Sequence, residues 1–435
     1  MLKKIIHTTG AKTIESALNF IIVWVSSYYL GSEIYGKIAL LTLIVFFVSQ
    51  LNGLVTGNSL LYYASRARKR NLFTIAFVWI IAVASITFLV IYFGLSPIIL
   101  KIKSFTIHEL LSIPILIILT SSVSVFQNYL LGRELILKAN YFSLSLVISR
   151  LIIISTIVIG FQFISFWAFV ITFICSYSIV FIVQTIIVSK IKESDNIEFR
   201  SSRALFKPLI LYGSVMQGSS VLQILNQRIS YFFISSFLSV SSLGVFGLAM
   251  QISESIKLVG MSISDVLLTK FSNTNDKDKN VHLTINSFRF TLYITLLSVL
   301  FVAFIPSEIF TKIFGNDYVN IKPIILTLLP GVLAYSVLLV IIQYFNGSGR
   351  PKVVFLLSLS GIIIISAIQI PLMKQFGLLG AGIANSCVFI VSLIIGLILF
   401  TNDSKQKLKV FLPQKNDWVV CCSIVKSIKH KTNRN

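Results

Sequence analysis

Long apolar runs recur along the whole chain, and short clusters of polar residues separate them. Many of these runs reach the ~20 residues that an α-helix needs to cross the hydrocarbon core of a bilayer. The alternating segments of ~10 residues that a membrane β-barrel needs do not appear in the sequence. The pattern therefore predicts an all-α polytopic membrane protein.

We predict twelve transmembrane helices from these apolar runs. Some runs exceed the minimum length of a span, and a tilted helix would accommodate the excess. An even number of spans places both termini on the same side of the membrane. The predicted helices cover residues 13–30, 37–63, 72–95, 107–131, 141–160, 166–189, 206–237, 243–269, 286–306, 323–345, 353–373 and 380–401.

The distribution of charge predicts the orientation of these helices. Only 12% of the residues are charged while 56% are hydrophobic, and the formal net charge is +22. If both termini face the cytoplasm, that side holds 27 of the 37 Lys and Arg residues and the opposite side holds six. Because Lys and Arg collect in cytoplasmic loops, the positive charge reflects topology. We therefore expect no nucleic-acid partner.

Two pairs of segments indicate an internal repeat. FQNYLLGRELILKANYFSLSLVISRLIIIS at 126–155 resembles IQYFNGSGRPKVVFLLSLSGIIIIS at 342–366, since both contain a Gly-Arg loop and a Ser-Leu-Ser. SYYLGSEIYGKIAL at 27–40 similarly resembles SSFLSVSSLGVFGLA at 235–249. We infer two six-helix lobes in the same orientation. The predicted parts are an N-terminal lobe (1–189), a cytoplasmic linker (190–205), a C-terminal lobe (206–402) and a basic cytoplasmic tail (403–435).

Three cations stand deep inside predicted spans: Arg150, Arg228 and Lys257. A charge at the bilayer centre costs ~3 kcal/mol on insertion scales. Both arginines lie about ten residues from the outer ends of their helices, which places them ~15 Å deep. They are too deep to extend easily to an interface. They either pair with acids in a structural role or face a water-filled cavity.

Acidic residues within the spans are few. Glu254 precedes Lys257 by three residues, so the two share a helix face and could form an ion pair. Glu15 has Lys12 and Asn19 at helical spacing in the first helix. The deep cations could all be paired with acids, and this reading stays open beside the functional one.

A polar stripe accompanies Arg228 on its helix. Gln223 and Gln227 lie one turn apart, and Gln227 is next to the arginine. A polar stripe on an apolar helix favours a water-filled cavity. Arg binds phosphate well because its planar fork contacts two oxygens at once. We therefore predict that an anionic substrate binds at Gln223, Gln227 and the three deep cations.

Other motifs carry no chemistry in this context. GSEIYGK at 31–37 fits the GxxxxGK spacing of a phosphate loop, but Ile38 follows it instead of Ser or Thr. We predict that it forms an outer loop between the first two helices. The four histidines are scattered, so no metal site is predicted. We expect no cofactor.

Four stretches resemble motifs of a known family. They are YYLGSEIYGKIAL after the first helix, ILNQRISYFFISSFLSVSSLGVFGLA in the seventh, YFNGSGRPKVVFLLSLSG after the tenth and PLMKQFGLLGAGIAN before the twelfth. In this order they are similar to the polysaccharide transporter family. This family comprises the O-antigen flippases of the multidrug/oligosaccharidyl-lipid/polysaccharide exporter superfamily.

The resemblance implies two six-helix lobes around a central cavity that work by alternating access. It implies as substrate an undecaprenyl-diphosphate-linked oligosaccharide, flipped across the bacterial inner membrane with both termini cytoplasmic. Arg150, Arg228 and Lys257 are candidates for a cationic lumen by position and charge. Glu15 and Glu254 are candidates for coupling to a proton or cation gradient. Expected partners are membrane lipid and the polymerase and glycosyltransferases of the same pathway, and the expected state is a monomer.

Three other functions remain as alternatives. A drug exporter of the same superfamily would need an acidic cavity for organic cations, whereas the deep cations here outnumber the deep acids. A membrane glycan polymerase or ligase would need a sizeable outer loop, and the longest, at about 306–322, offers Glu308 and Asp317. A scaffold protein would leave the deep arginines unexplained.

Overall fold

The computed structural model describes residues 2–94, 105–191, 202–272 and 276–411. Within these residues the fold is helical and has no β-strand. The helices are α1 (Leu2–Thr56), α2 (Asn58–Tyr63), α3 (Lys69–Leu89), α4 (Ile107–Gly132), α5 (Ile136–Ser155), α6 (Phe166–Ser189), α7 (Ser202–Phe237), α8 (Val240–Ser272), α9 (Lys277–Phe304), α10 (Ser307–Phe314), α11 (Ile321–Gly347) and α12 (Pro351–Ser404).

Eight helical segments in the described part of the chain are long and apolar enough to cross a membrane. Two of them, Ala11–Tyr63 and Lys352–Ser404, contain 53 residues each. A straight helix of that length would measure about 80 Å, more than twice the ~30 Å of a bilayer core. Each long segment therefore accommodates two crossings, as the prediction of two spans in each of these regions requires.

A single glycine divides each long helix. Gly31 in α1 has φ 76° and ψ 172°, and Gly377 in α12 has φ 57° and ψ −132°. Both conformations are readily accessible only to a residue without a Cβ. The outer loop predicted at 31–37 is wrong in extent, because α1 is helical again from the residue after Gly31.

A carboxylate from a distant segment caps the helix that resumes after Gly31. The Ser32 amide N–H donates to Asp317 Oδ2 at 2.9 Å. This bond satisfies one of the backbone donors that a helix N-terminus leaves free. Nearby, Trp24 Nε1 donates to the Ile313 carbonyl at 2.6 Å. Asp317 thus has a structural partner.

The chain forms two compact units. Most of α7 belongs to the first, but its turn Leu225–Ser230 belongs to the second. The predicted linker falls largely on residues 192–201, outside the described part, as does the tail beyond residue 411. Unit 1 consists of Met1–Ile224, Tyr231–Leu248 and Phe310–Val319, and unit 2 of Leu225–Ser230, Ala249–Ile309 and Asn320–Asn435.

Aromatic rings fill the core of each unit. In unit 1, Phe73 packs edge-on against Phe126 and Tyr129, with centroids 5.2 and 5.1 Å apart. In unit 2, Tyr344 packs edge-on against Phe400 at 4.8 Å. Such pairs add to the free energy of apolar burial.

Large apolar side chains also cover the outside of the described helices. Phe93, Phe161 and Phe304 are 75, 76 and 81% exposed. A soluble protein would aggregate through such surfaces, whereas lipid tails solvate them. The chain is a multi-pass membrane protein.

The two loops of the predicted repeat share one helix cap. After α4, Glu134 has φ 58°, and after α11, Gly349 has φ 73°. In each loop the next residue, Leu135 or Arg350, donates its N–H to the carbonyl five positions back at 2.9 Å. This is the hydrogen bond of a Schellman cap.

The shared cap fixes the alignment of the repeat. It makes Gly132 equivalent to Gly347, and Ser143–Ser145 equivalent to Ser358–Ser360. The Gly-Arg pairs used to find the repeat are therefore two positions out of register. The Ser-Leu-Ser is the element that the two copies have in common.

The two segments of the second repeat pair, 27–40 and 235–249, contact each other within unit 1. A Cβ on Gly36 would collide with the Val240 carbonyl oxygen, and a Cβ on Gly244 would collide with that of Ser32. A Cβ on Gly36 would also lie 2.9 Å from the Gly244 nitrogen, and a Cβ on Gly244 would lie 3.0 Å from the Gly36 nitrogen. Residues 32 and 36 and their counterparts 240 and 244 thus make the same contact from both sides.

Candidate functional site

One carboxylate in unit 2 serves two cations. Arg228 Nη2 on α7 donates to Glu254 Oε2 on α8 at 2.7 Å, and Lys257 Nζ donates to Glu254 Oε1 at 3.2 Å. The side chains of Lys257 and Glu254 are 6 and 16% exposed, while that of Arg228 is 26% exposed. Arg228 is therefore the member of this cluster that a ligand reaches most easily.

Tyr335 on α11 joins the charged cluster to the polar stripe. Its hydroxyl accepts a hydrogen bond from Gln227 Nε2 at 2.7 Å. Lys257 Nζ lies 5.1 Å from the centroid of its ring, within the range of a cation–π interaction. The ring thus contacts the lysine while the hydroxyl orients the glutamine.

Buried polar contacts with α12 fix the same turn of α7. Ser230 Oγ donates to Gln369 Oε1 at 3.2 Å and accepts from Asn385 Nδ2 at 3.2 Å. Gly361 lets the Asn226 amide approach so closely that a Cβ there would collide with it. These contacts set the rotation of α7 about its axis, and with it the direction of Arg228.

Arg150 occupies a different environment, in unit 1. Its guanidinium carbon lies 4.2 Å from the ring centroid of Phe173 and 5.3 Å from that of Tyr177. Its Nε is buried and has no hydrogen-bond partner in the described part of the chain. Its charge acts on Glu15, as does that of Lys12. Aromatic faces therefore stabilise this cation, with an acid in electrostatic range.

Phe173 and Tyr177 also line a cavity of about 460 Å³ inside unit 1, which we call the unit 1 cavity. Residues from α1, α4, α6 and α7 form its wall, and none of those that line it is charged. Its polar side chains are Thr42, Ser49, Gln50, Thr56, Thr120, Ser121, Ser124, Asn128, Tyr177 and Gln217.

The sequence profile of the family described as "Polysaccharide biosynthesis protein" matches residues 29–323. The chain belongs to this family. The match includes the segments that carry Arg150, Arg228 and Lys257. A search of curated protein sequences gives no significant match.

Solved structures show which fold this polysaccharide biosynthesis protein has. An inward-facing multidrug resistance MATE family transporter of the MOP superfamily is similar with a TM-score of 0.75 at 13% identity, covering 90% of this chain and 94% of that one. The lipid II flippase MurJ in an inward closed conformation is similar with a TM-score of 0.74 at 16% identity, covering 97% and 93%. At these identities the likeness concerns the fold alone, and it confirms the predicted helical architecture.

The structure brings four of the predicted site residues of this family member together. Arg228, Glu254, Lys257 and Gln227 form one cluster in unit 2. The pairing expected for Glu254 and Lys257 from their spacing is confirmed, and Arg228 uses the same carboxylate. Their roles in binding or coupling stay predictions.

The remaining predicted site residues lie elsewhere. Arg150 and Glu15 belong to unit 1. The side chain of Gln223 lies outside the described part of the structure. That the three deep cations share one substrate path stays a prediction.

Two features of this family member were not predicted from its sequence. Tyr335 lies far along the chain from Gln227 and Lys257, so no spacing rule connects them. The unit 1 cavity left a weak signal, because Thr42, Ser49 and Thr56 recur at helical intervals on an otherwise apolar helix. Such a stripe indicates a polar helix face but not what faces it.

Proposed function

We propose that this protein is a flippase for an undecaprenyl-diphosphate-linked oligosaccharide. It moves an O-antigen or similar surface polysaccharide repeat unit from the cytoplasmic to the outer leaflet of the bacterial inner membrane by alternating access. Membership of the polysaccharide biosynthesis family supports the class of substrate. The fold shared with a lipid II flippase supports the transport of a lipid-linked molecule.

The observation that carries this proposal is the cluster of Arg228, Glu254 and Lys257 on α7 and α8, the helices predicted as the seventh and eighth spans. Burying an ion pair costs desolvation free energy, and apolar side chains of similar volume often stabilise a protein as well or better. A purely structural role would therefore give these charges little advantage over apolar packing. The guanidinium fork suits the oxygens of a diphosphate. When the substrate arrives, its diphosphate competes with Glu254 for Arg228.

Glu254 then has a second role in the proposal, as a coupling site. A proton or cation that neutralises its carboxylate would release Arg228 to the diphosphate. In unit 1, Glu15 lies within electrostatic range of Arg150 and Lys12 and is the second candidate for coupling. The protein itself performs no covalent chemistry in this scheme.

The excess of Lys and Arg on one side of the predicted spans supports placing both termini in the cytoplasm. There the protein would receive its substrate from glycosyltransferases and pass it to a polymerase on the outer side. It would work as a monomer.

Arg228 variants test the function. In a bacterial host whose own copy is deleted, we expect Arg228→Ala to abolish surface polysaccharide and Arg228→Lys to restore part of it, because lysine keeps the charge but not the fork. Lys207→Ala removes an exposed cation from the same helix and should keep full activity. Protein level is measured by immunoblot, and a fully active Arg228→Ala variant at normal abundance would contradict the proposal.

A multidrug exporter is the second candidate, because a MATE transporter shares the fold. Such an exporter would favour organic cations, for which the uncharged wall of the unit 1 cavity is poorly suited. Deleting the gene separates the two functions. We expect accumulation of untranslocated lipid-linked oligosaccharide with unchanged drug susceptibility, whereas a drug exporter would give the reverse.

A further inference from the structure

The unit 1 cavity combines hydroxyl groups, amides and aromatic rings without a charged side chain on its wall. Its volume of about 460 Å³ lies in the range of small-molecule binding sites. One face of α1 supplies much of the wall through Thr42, Phe46, Ser49 and Gly53. The cavity is thus built on a rigid element.

Many of its hydroxyl groups are prepared to accept hydrogen bonds. Thr42 Oγ1 donates to the Ile38 carbonyl at 2.9 Å, and Thr120 Oγ1 donates to the Leu116 carbonyl at 2.7 Å. Since the protons of these hydroxyls are engaged within their own helices, the oxygen lone pairs remain for a ligand. Such a wall suits a ligand that donates many hydrogen bonds.

Two buried polar atoms at the cavity lack a partner in the described part of the protein. Ser49 lines the cavity, and its Oγ is buried without a hydrogen bond. Asn52 is 1% exposed and donates to cavity-lining Ser121 at 2.7 Å, but its Oδ1 accepts no bond. A buried polar atom without a partner costs about 1–3 kcal/mol. A ligand hydroxyl that bonds to Ser49 would remove this cost at the cavity wall.

Aromatic rings supply a second kind of surface. On α6, Phe173 packs between Phe169 and Tyr177 with tilted rings, at centroid distances of 4.5 and 5.5 Å, and all three line the cavity. Phe46 on α1 lines it too and is 41% exposed. Flat apolar rings beside hydroxyl acceptors match a pyranose, which has an apolar C–H face and a rim of hydroxyl donors.

We propose that the unit 1 cavity binds uncharged sugar residues of the lipid-linked substrate. This subsite rests on the proposed flippase function, and it specifies where the protein holds the glycan. Arg150 lies against Phe173 and Tyr177, so a glycan in the cavity is one ring away from a half-buried cation. The wall provides no carboxylate to pair with an organic cation, and the charge of Arg150 behind two of its rings would repel one.

A second cavity in the described part of the protein shows what a lipid-binding wall would look like. It has a volume of about 600 Å³ in unit 2, and it is lined almost entirely by apolar side chains such as Leu292, Leu333, Leu393 and Leu397. An acyl or isoprenyl chain would favour that wall. The polar wall of the unit 1 cavity therefore distinguishes a sugar from a lipid tail.

Two variants of α1 test the subsite on the purified full-length protein. Ser49→Ala removes the unpartnered hydroxyl, and Phe46→Ala removes an exposed ring that lines the cavity. The probes are undecaprenyl diphosphate and the lipid-linked oligosaccharide extracted from a deletion strain. We expect Ser49→Ala to weaken oligosaccharide binding about fivefold and Phe46→Ala about tenfold, with undecaprenyl diphosphate binding unchanged.

Controls separate binding from folding. Ser49→Ala should raise the thermal unfolding midpoint of the free protein, because it removes an unsatisfied buried group. Phe161→Ala deletes an exposed ring that does not line the cavity, and this variant should bind both probes as the wild type does. Equal weakening of both probes by the α1 variants, or no weakening, would overturn the subsite. A wild-type protein that binds neither probe would instead overturn the proposed function and the subsite with it.

Discussion

Arg228 shares the carboxylate of Glu254 with Lys257, whereas Arg150 lies against the rings of Phe173 and Tyr177. Both arrangements offset the cost of placing a cation in an apolar helix, but they respond differently to an anionic ligand. In the proposed function, a diphosphate would compete with Glu254 for Arg228. At Arg150 it can approach without displacing a bonded carboxylate.

The shared carboxylate gives a prediction for stability. Glu254→Gln leaves two cations without their acid, and we expect it to destabilise the protein by about 3 kcal/mol. Adding Lys257→Met should recover most of this loss, because one of the two cations is then gone. The thermal unfolding midpoint of the detergent-solubilised protein measures both effects.

Lys207→Met in the Glu254→Gln background is the control, since it removes an exposed cation and should recover nothing. If the Lys257 and Lys207 variants recovered stability equally, the effect would be one of net charge. The shared carboxylate would then not be its cause.

At the scale of the helices, the apolar runs predicted where helices lie. They predicted the ends of helices poorly where those ends are polar. α9 begins at Lys277 and not at the predicted residue 286, because Asp276 accepts from the Lys279 amide and caps a polar first turn. The break at Gly31 could be foreseen from a glycine, but its cap could not, since Asp317 comes from a distant segment. For the site, helical spacing predicted the ion pair of Glu254 with Lys257. It could not predict the contacts of Tyr335, which comes from a distant part of the chain.

The distant cap at Ser32 predicts a local change in dynamics. Asp317→Ala removes the acceptor of the Ser32 amide, which costs about 1 kcal/mol as for other N-caps. We expect amide hydrogen exchange in residues 31–35 to become about fivefold faster. Asp317→Asn keeps an acceptor oxygen and should change the exchange rate little.

Peptides from α4 provide the internal reference for this measurement. The N-terminus of α4 has its own capping box, formed by Thr106 and Glu109, and does not depend on Asp317. Exchange that accelerated equally in α4 would indicate general destabilisation and count against a local cap.

At the scale of the whole chain, two repeat contacts survive although most of the sequence similarity has disappeared. The Schellman caps after α4 and α11 preserve the loop geometry, and Gly36 with Gly244 preserves a close approach of backbones. Both are backbone requirements that few side chains satisfy. Apolar positions between them can change freely, so the Gly-Arg pairs of the two loops need not be equivalent.

The glycine contact predicts a matched pair of effects. We expect Gly36→Ala and Gly244→Ala each to destabilise the protein by about 1–3 kcal/mol, because either Cβ forces the backbones apart. The double variant should cost less than the two together, since one separation relieves both collisions. Thermal unfolding midpoints give the comparison.

Gly218→Ala on α7 is the control, because a Cβ there meets nothing within 4 Å. It should be neutral or slightly stabilising, as alanine is in a helix. Strictly additive losses at Gly36 and Gly244 would show that the two glycines do not share one contact.

The reciprocal contact of Gly36 and Gly244 also bears on the origin of the chain. A patch that meets its own counterpart, residue for residue, is what an isologous interface produces in a two-fold symmetric dimer. If the two predicted six-helix lobes arose by duplication, two separate copies would have met here before fusion joined them. The crossing is then older than the connection between the halves, and each glycine constrains what evolution can place opposite it.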